Sequence, residues 1–216
     1  MSLLRLEDKF RRPVAIAATG LFLCSAALYF SPFELEHKLA IPVALLTLAS
    51  LWLCPWQMTL ALAFSAAGDY FGSTGNFLAQ MGSFAVAHIW FVVFFALLYH
   101  RKCKSAANGK RLAFGAILCS LSLLAAAFIL IVPHAPAGVL KAGVSIYACL
   151  ICSMLMLALL QREILFSLGA ILFVFSDFVL AWQLFVSSIP YGGLLIMIPY
   201  YAAQWLLYKK STSLRD

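Results

Sequence analysis

The sequence predicts an all-α, polytopic membrane fold of eight transmembrane helices, and three observations carry that reading. Of 216 residues, 64% are hydrophobic and 11% charged, with a mean hydropathy of +0.98. A soluble domain has ~45–50% apolar and ~25% charged residues. The apolar residues form long runs separated by short breaks, which leave no room for a soluble domain, so 1–216 reads as a single transmembrane domain. Lys and Arg collect at alternate breaks, the mark of a chain threaded back and forth through a bilayer.

The elements follow in order. A basic start, MSLLRLEDKFRR, leads into the run 13–30. A signal peptide is the rival reading. The run is long for one, however, and passes into YFSPFELEHK without an A-x-A site, so a retained helix is expected. The run 40–54 is short of the ~20 residues of a span and must borrow from its flanks or lie obliquely. The run 56–71 follows, with Pro55 as the break. The fourth run is 77–99, after the turn-prone STGN, and then comes the basic loop HRKCKSAANGKR. The fifth, 112–132, closes in PHAPAG; the sixth, 139–160, closes in QRE; SSIPYGG separates the seventh, 164–186, from the eighth, 194–208.

The charge count sets the orientation. With a cytoplasmic N-terminus, the inside segments hold Arg5, Lys9, Arg11, Arg12, Arg101, Lys102, Lys104, Lys110, Arg111, Arg162, Lys209, Lys210 and Arg215, and the outside segments only Lys38 and Lys141. Both termini are then cytoplasmic. The net charge of +7 is thereby accounted for as a topology signal, with attraction of the loop 101–111 to anionic headgroups as a second use; no nucleic-acid partner is expected. Of the cysteines, Cys103 lies in the basic loop and Cys24, Cys54, Cys119, Cys149 and Cys152 in or beside apolar segments. None has zinc-ribbon or redox spacing, so they read as small apolar residues.

Against this background, three ionisable groups stand out. Asp69 and His88 lie in SAAGDYFGSTGNFLAQMGSFAVAH, and Asp177 in GAILFVFSDFVLAW. A carboxylate at the bilayer centre costs at least ~2.5–3.5 kcal/mol, so such a residue faces the bundle interior and marks function. Counted from the cytoplasmic ends at 1.5 Å per residue, all three lie roughly 20 Å in, which predicts one shared site. The alternative is a structural tie between helices, but a paired acid needs a cation and no intramembrane Lys or Arg supplies one. His88 is a candidate acid, base or orienting donor. Two Asp and one His could also hold a divalent ion, but H-x-x-x-H spacing is absent, so no metal ligand and no cofactor is expected.

Ser65 shares a helical face with Asp69, Ser176 adjoins Asp177, and Gly68 and Gly72 form a small-xxx-small pair that lets a backbone approach. Tyr200, Tyr201 and Gln204 are set deep in the last run, where Pro199 should free a carbonyl near Leu195. These five polar residues, Ser65, Ser176, Tyr200, Tyr201 and Gln204, are the candidate substrate-binding set. Gly68-Asp69-Tyr70 parallels Ser176-Asp177-Phe178, and Phe84 to His88 parallels Tyr200 to Gln204, which suggests a four-plus-four parallel repeat. No G-x-S-x-G, oriented Cys–His pair or phosphate-binding glycine loop occurs. The visible chemistry is proton handling.

Taken together, G-D at 68–69, F-x-x-x-H at 84–88, G-A-x-L-F-x-x-S-D at 169–177 and Y-Y-x-A-Q at 200–204 resemble the YhhN-like lysoplasmalogenase family of integral membrane proteins, over nearly the whole chain. Phe91 departs from the Tyr expected after the histidine. The resemblance implies a multi-pass protein, expected in the bacterial inner (cytoplasmic) membrane. It also implies hydrolysis of the vinyl ether bond of lysoplasmalogen-type lysophospholipids to fatty aldehyde and glycerophospho-ethanolamine or -choline, with lysophospholipid, water and bilayer as partners. The chemistry suits the residues. Protonation of the outer vinyl carbon gives an oxocarbenium ion that water captures, which asks for one protonated acid and one anion. Asp69, Asp177 and His88 are the catalytic candidates, with Asp177 favoured as donor for its apolar neighbours Phe173 and Val174. A small proton-coupled transporter, or a lipid-binding membrane protein, is the competing reading of the same buried acids.

Overall fold

Among the described residues the protein folds into eight α-helices, with no strand. The computed structural model describes residues 3–4, 6–102 and 110–214. The helices are α1 (Asp8–Tyr29), α2 (Ile41–Leu53), α3 (Trp56–Ser73), α4 (Phe77–Lys102), α5 (Lys110–Leu130), α6 (Val139–Leu160), α7 (Ile164–Phe185) and α8 (Gly192–Ser211). Arg5, Cys103, Lys104, Arg215 and the middle of the basic loop lie outside the described residues.

Five helices, α1, α4, α5, α6 and α7, are long and apolar enough to cross a membrane. The other three fall short for visible reasons. α2 has 13 residues, about 20 Å against a hydrocarbon core of ~30 Å. α3 carries Gln57, Thr59 and Asp69, and α8 carries Gln204, Lys209 and Lys210. The polar residues of α3 are turned inward, since Gln57, Thr59, Ser65 and Asp69 are all buried.

Helix ends differ from the apolar runs where polar residues continue the hydrogen-bond ladder. α1 begins at Asp8, with an acid in its first turn and Pro13 inside it. α8 runs to Ser211, with Lys209 and Lys210 in the last turn, where cations suit the helix dipole.

The chain divides into two compact units, Met1–Trp90 with Gln204–Asp216, and Phe91–Ala203. In the first unit α1 runs back along α2. The Arg11 guanidinium donates to Trp52 O at 3.4 Å and Leu53 O at 3.1 Å, satisfying carbonyls that the end of α2 leaves without a helical partner. Cys54 and Pro55 are extended (ψ 159° and 143°), so proline ends one helix and opens the next. Thr59 Oγ1 bonds Ser50 O across this break at 3.1 Å. Cys54 is buried as a free thiol and packs as a small apolar side chain. Between α3 and α4, Gly75 holds φ +74°, a left-handed turn that glycine adopts without steric cost.

In the second unit, α5 and α6 are joined through one turn of 3₁₀ helix, Val132–His134, with Gly138 at φ +92° ahead of α6. Gln161, beyond the end of α6, donates to Phe95 O at 2.9 Å. Phe94, Phe95 and Phe166 meet edge to face, with centroids 5.1 to 5.7 Å apart. The five cysteines among the described residues are free thiols.

Candidate functional site

In the first unit, the site is built on the hairpin of α3 and α4. Leu62, Ser65 and Asp69 recur at helical spacing on one face and are 0%, 0% and 3% exposed. Ser65 Oγ donates to Ala61 O at 2.9 Å, so its hydroxyl can only accept from a ligand. The facing helix comes close because the α3 residues between are small. A Cβ on Gly68 would lie 2.7 Å from the Phe84 ring, and one on Gly72 2.7 Å from the Gln80 amide. This register sets His88 about one and a half turns, ~7 Å, nearer the Trp56 end than Asp69. His88 is fully buried, and its Nδ1 lies 2.7 Å from Phe84 O. A carbonyl only accepts, so Nδ1 carries a proton, and in the neutral ring Nε2 is then the acceptor edge.

The same unit holds the C-terminal turns of α8. Gln204 and Tyr208, one turn apart, are both 0% exposed. Neither amide atom of Gln204, nor the Tyr208 hydroxyl, has a hydrogen-bond partner among the described residues. Each such group costs about 1–3 kcal/mol when buried unpaired, so this face is kept polar at the expense of stability.

In the second unit, Asp177 is half-buried on α7 and accepts a hydrogen bond at Oδ2 from the Tyr147 hydroxyl of α6. Tyr147 is the residue that sequence reasoning missed. A lone tyrosine inside an apolar run has no periodic signal, and its hydroxyl gains meaning only when α6 and α7 are laid side by side. Ser176 donates to Ile196 O on α8 at 2.9 Å, one residue from the Leu195 carbonyl expected to be freed by Pro199. Its proton is spent on joining the helices. Phe173, one turn before Asp177, meets Phe91 at 6.0 Å and Tyr200 at 5.5 Å, edge to face, and Tyr200 leans on Tyr201 at 5.6 Å. Phe91 is fully buried and fills its place as a ring.

The structure thus places Ser65, Asp69, His88 and Gln204 in the first unit and Asp177, Ser176, Tyr200 and Tyr201 in the second. What they define is an integral, multi-pass helical membrane protein with ionisable groups inside its apolar body. Residues 37–211 match the model of the YhhN family, and the chain belongs to that family. It is 36% identical over 155 residues to the mouse protein lysoplasmalogenase TMEM86B, a match covering 70% of this chain and 62% of that relative. The chain therefore spans less than two thirds of the mouse protein's length. The rat and human proteins of the same name are 59% and 54% identical over 39 residues, 18% of this chain and 17% of theirs. No solved structure matches the chain.

Proposed function

We propose that the protein hydrolyses the vinyl ether bond of lysoplasmalogen-type lysophospholipids, releasing a fatty aldehyde and a glycerophospho-ethanolamine or -choline. The observation that carries this reading is the Tyr147–Asp177 pair, a carboxyl group held by a phenol inside apolar helices. The mouse relative named as a lysoplasmalogenase supports the substrate class. Because the phenol proton is directed to Oδ2, an acidic proton on Asp177 resides on Oδ1 and is presented in one direction. Oδ1–H protonates the outer vinyl carbon, the former π pair forms the new C–H bond, and the ether oxygen shares the positive charge as an oxocarbenium ion. Asp69, as an anion, stabilises that charge. Water adds to the cationic carbon and gives up a proton, for which His88 Nε2 is the acceptor. The hemiacetal then collapses to aldehyde and the glycerol hydroxyl. Ser65, Ser176, Tyr200, Tyr201 and Gln204 line the substrate in this account, with Gln204 the best supplied with unused polar atoms.

The protein purified in detergent should release aldehyde from a 1-alkenyl lysophospholipid and leave the saturated 1-alkyl ether intact. Absence of aldehyde, or equal attack on the alkyl ether, contradicts the reading and returns the buried acids to a transport or lipid-binding role. The same proposal includes a single transmembrane domain, 1–216, of eight spans in the bacterial inner membrane. Both termini are cytoplasmic in it, as the Lys and Arg distribution supports. Reporter fusions that put the two ends on opposite faces would overturn that topology.

A further inference from the structure

One polar cluster of the first unit is not used by this chemistry. The connection between α1 and α2, SPFELEHK, is fastened to the end of α3 next to Asp69. His37 Nδ1 lies 2.8 Å from Ser73 Oγ, and its ring meets Tyr70 at 4.6 Å. Ser73 spends its own hydroxyl proton on Tyr70 O at 2.7 Å, so in the His37 pair the imidazole N–H donates and Ser73 accepts. His37 takes φ +55°, a left-handed conformation costing on the order of 1 kcal/mol or more in a residue with a Cβ. Its contacts with α3 hold that turn. Lys38 Nζ donates to Ser31 O at 3.2 Å and Phe33 O at 3.0 Å, and stands 5.9 Å from the centre of the Tyr29 ring. Two of its three ammonium protons are placed and the third is available. Glu34 and Glu36 are exposed and form no ion pair among the described residues. Phe33, 70% exposed beside them, suits the membrane interface.

The loop therefore offers the Lys38 ammonium and the acids Glu34 and Glu36 within a few residues of one another, one helical turn past an intramembrane acid. Ser73 is about 6 Å along the axis from Asp69. In a lysophospholipid the phosphorus and the sn-1 ether oxygen are five bonds apart, roughly 6 Å. We propose that this loop is the headgroup-binding element of the protein, with Lys38 receiving the phosphate and Glu34 and Glu36 the ammonium of a zwitterionic lysophospholipid, while His37 fastens the loop to α3. The proposal rests on the hydrolase reading for the identity of the lipid. Its charge pattern selects ethanolamine or choline headgroups over those that carry phosphate alone, because a bare phosphate leaves both glutamates facing an anion.

The test uses the full chain in an uncharged detergent and a saturated 1-alkyl lysophosphatidylcholine, which is not a vinyl ether, with tryptophan fluorescence as the readout. Comparison ligands are the matching alkyl glycerol, alkyl lysophosphatidic acid and diacyl phosphatidylcholine. Lys38→Ala should weaken the lysophosphatidylcholine about 10-fold and leave the alkyl glycerol unchanged, and Lys38→Arg should restore it. The Glu34→Gln, Glu36→Gln double variant should weaken the choline lipid and not the phosphatidic one. Headgroup-blind binding, loss of alkyl glycerol binding in Lys38→Ala, or equal competition by the diacyl lipid would each overturn the assignment. If binding is headgroup-blind while aldehyde is still released, only the loop's role falls. If binding depends on the headgroup and no aldehyde forms, the loop's role stands and the hydrolase reading falls.

Discussion

Around Asp69 the first unit uses small residues and a buried histidine, whereas around Asp177 the second uses rings and a phenol. Gly68 and Gly72 let α4 approach α3 until a Cβ would touch Phe84 or Gln80, and the backbone of Phe84 then fixes the tautomer of His88. Asp177 lies on a face where Phe173 carries Phe91 and Tyr200, and its direct partner is the Tyr147 hydroxyl. The difference teaches that a short repeat in sequence, small–acid–aromatic at 68–70 and 176–178, supports two kinds of surroundings. One buries its acid on a face of small residues, and the other holds its acid against a phenol that donates to it.

The largest expected effect breaks the comparison outright. Asp69→Asn and Asp177→Asn preserve size and remove the acid, and each should lower turnover by about 10³-fold while the protein still purifies as a single folded species. Near wild-type aldehyde release from either variant would leave one acid merely structural. Tyr147→Phe sharpens the comparison, because it removes only the donor to Asp177. It should reduce kcat by about 10-fold to 100-fold with KM little changed, and Phe at the equivalent depth on α6 should cost no more than ~1 kcal/mol of stability. An unchanged kcat would make the phenol a packing residue. The smallest effect is confined to stability and separates two glycines. Gly68→Ala drives a methyl into the Phe84 ring and should destabilise the purified protein by about 1–3 kcal/mol. Gly72→Ala meets the flexible end of Gln80 and should cost less than ~1 kcal/mol. Equal melting temperatures would show that the α3–α4 approach does not depend on Gly68.

Much of the scaffold was legible because hydrophobic runs and their breaks are local signals. Pro55, Gly75 and Gly138 mark turns that the structure contains, and the sixth run coincides with α6. The ends of α1 and α8 were not legible, since polar residues at Asp8 and Lys209 extend the hydrogen-bond ladder past the apolar run. Asp69, His88 and Asp177 stand out as candidates in the sequence because a charge in lipid is conspicuous. Tyr147 does not, because a phenol is tolerated in an apolar run and its partner is 30 residues away in sequence. Likewise Arg11 and Lys38 read only as topology charges, until their side chains are seen donating to Leu53 O and Phe33 O.

The central claim is that a carboxyl group delivers a proton to carbon, and deuterium reports on that step directly. Hydrolysis of a 1-alkenyl lysophospholipid by the wild-type protein in D2O, with immediate reduction of the aldehyde, should place one deuterium on the carbon next to the former carbonyl and run more slowly than in H2O. An aldehyde without deuterium at that carbon, formed at the same rate in both solvents, would contradict carbon protonation and with it the roles given to Asp177 and Asp69.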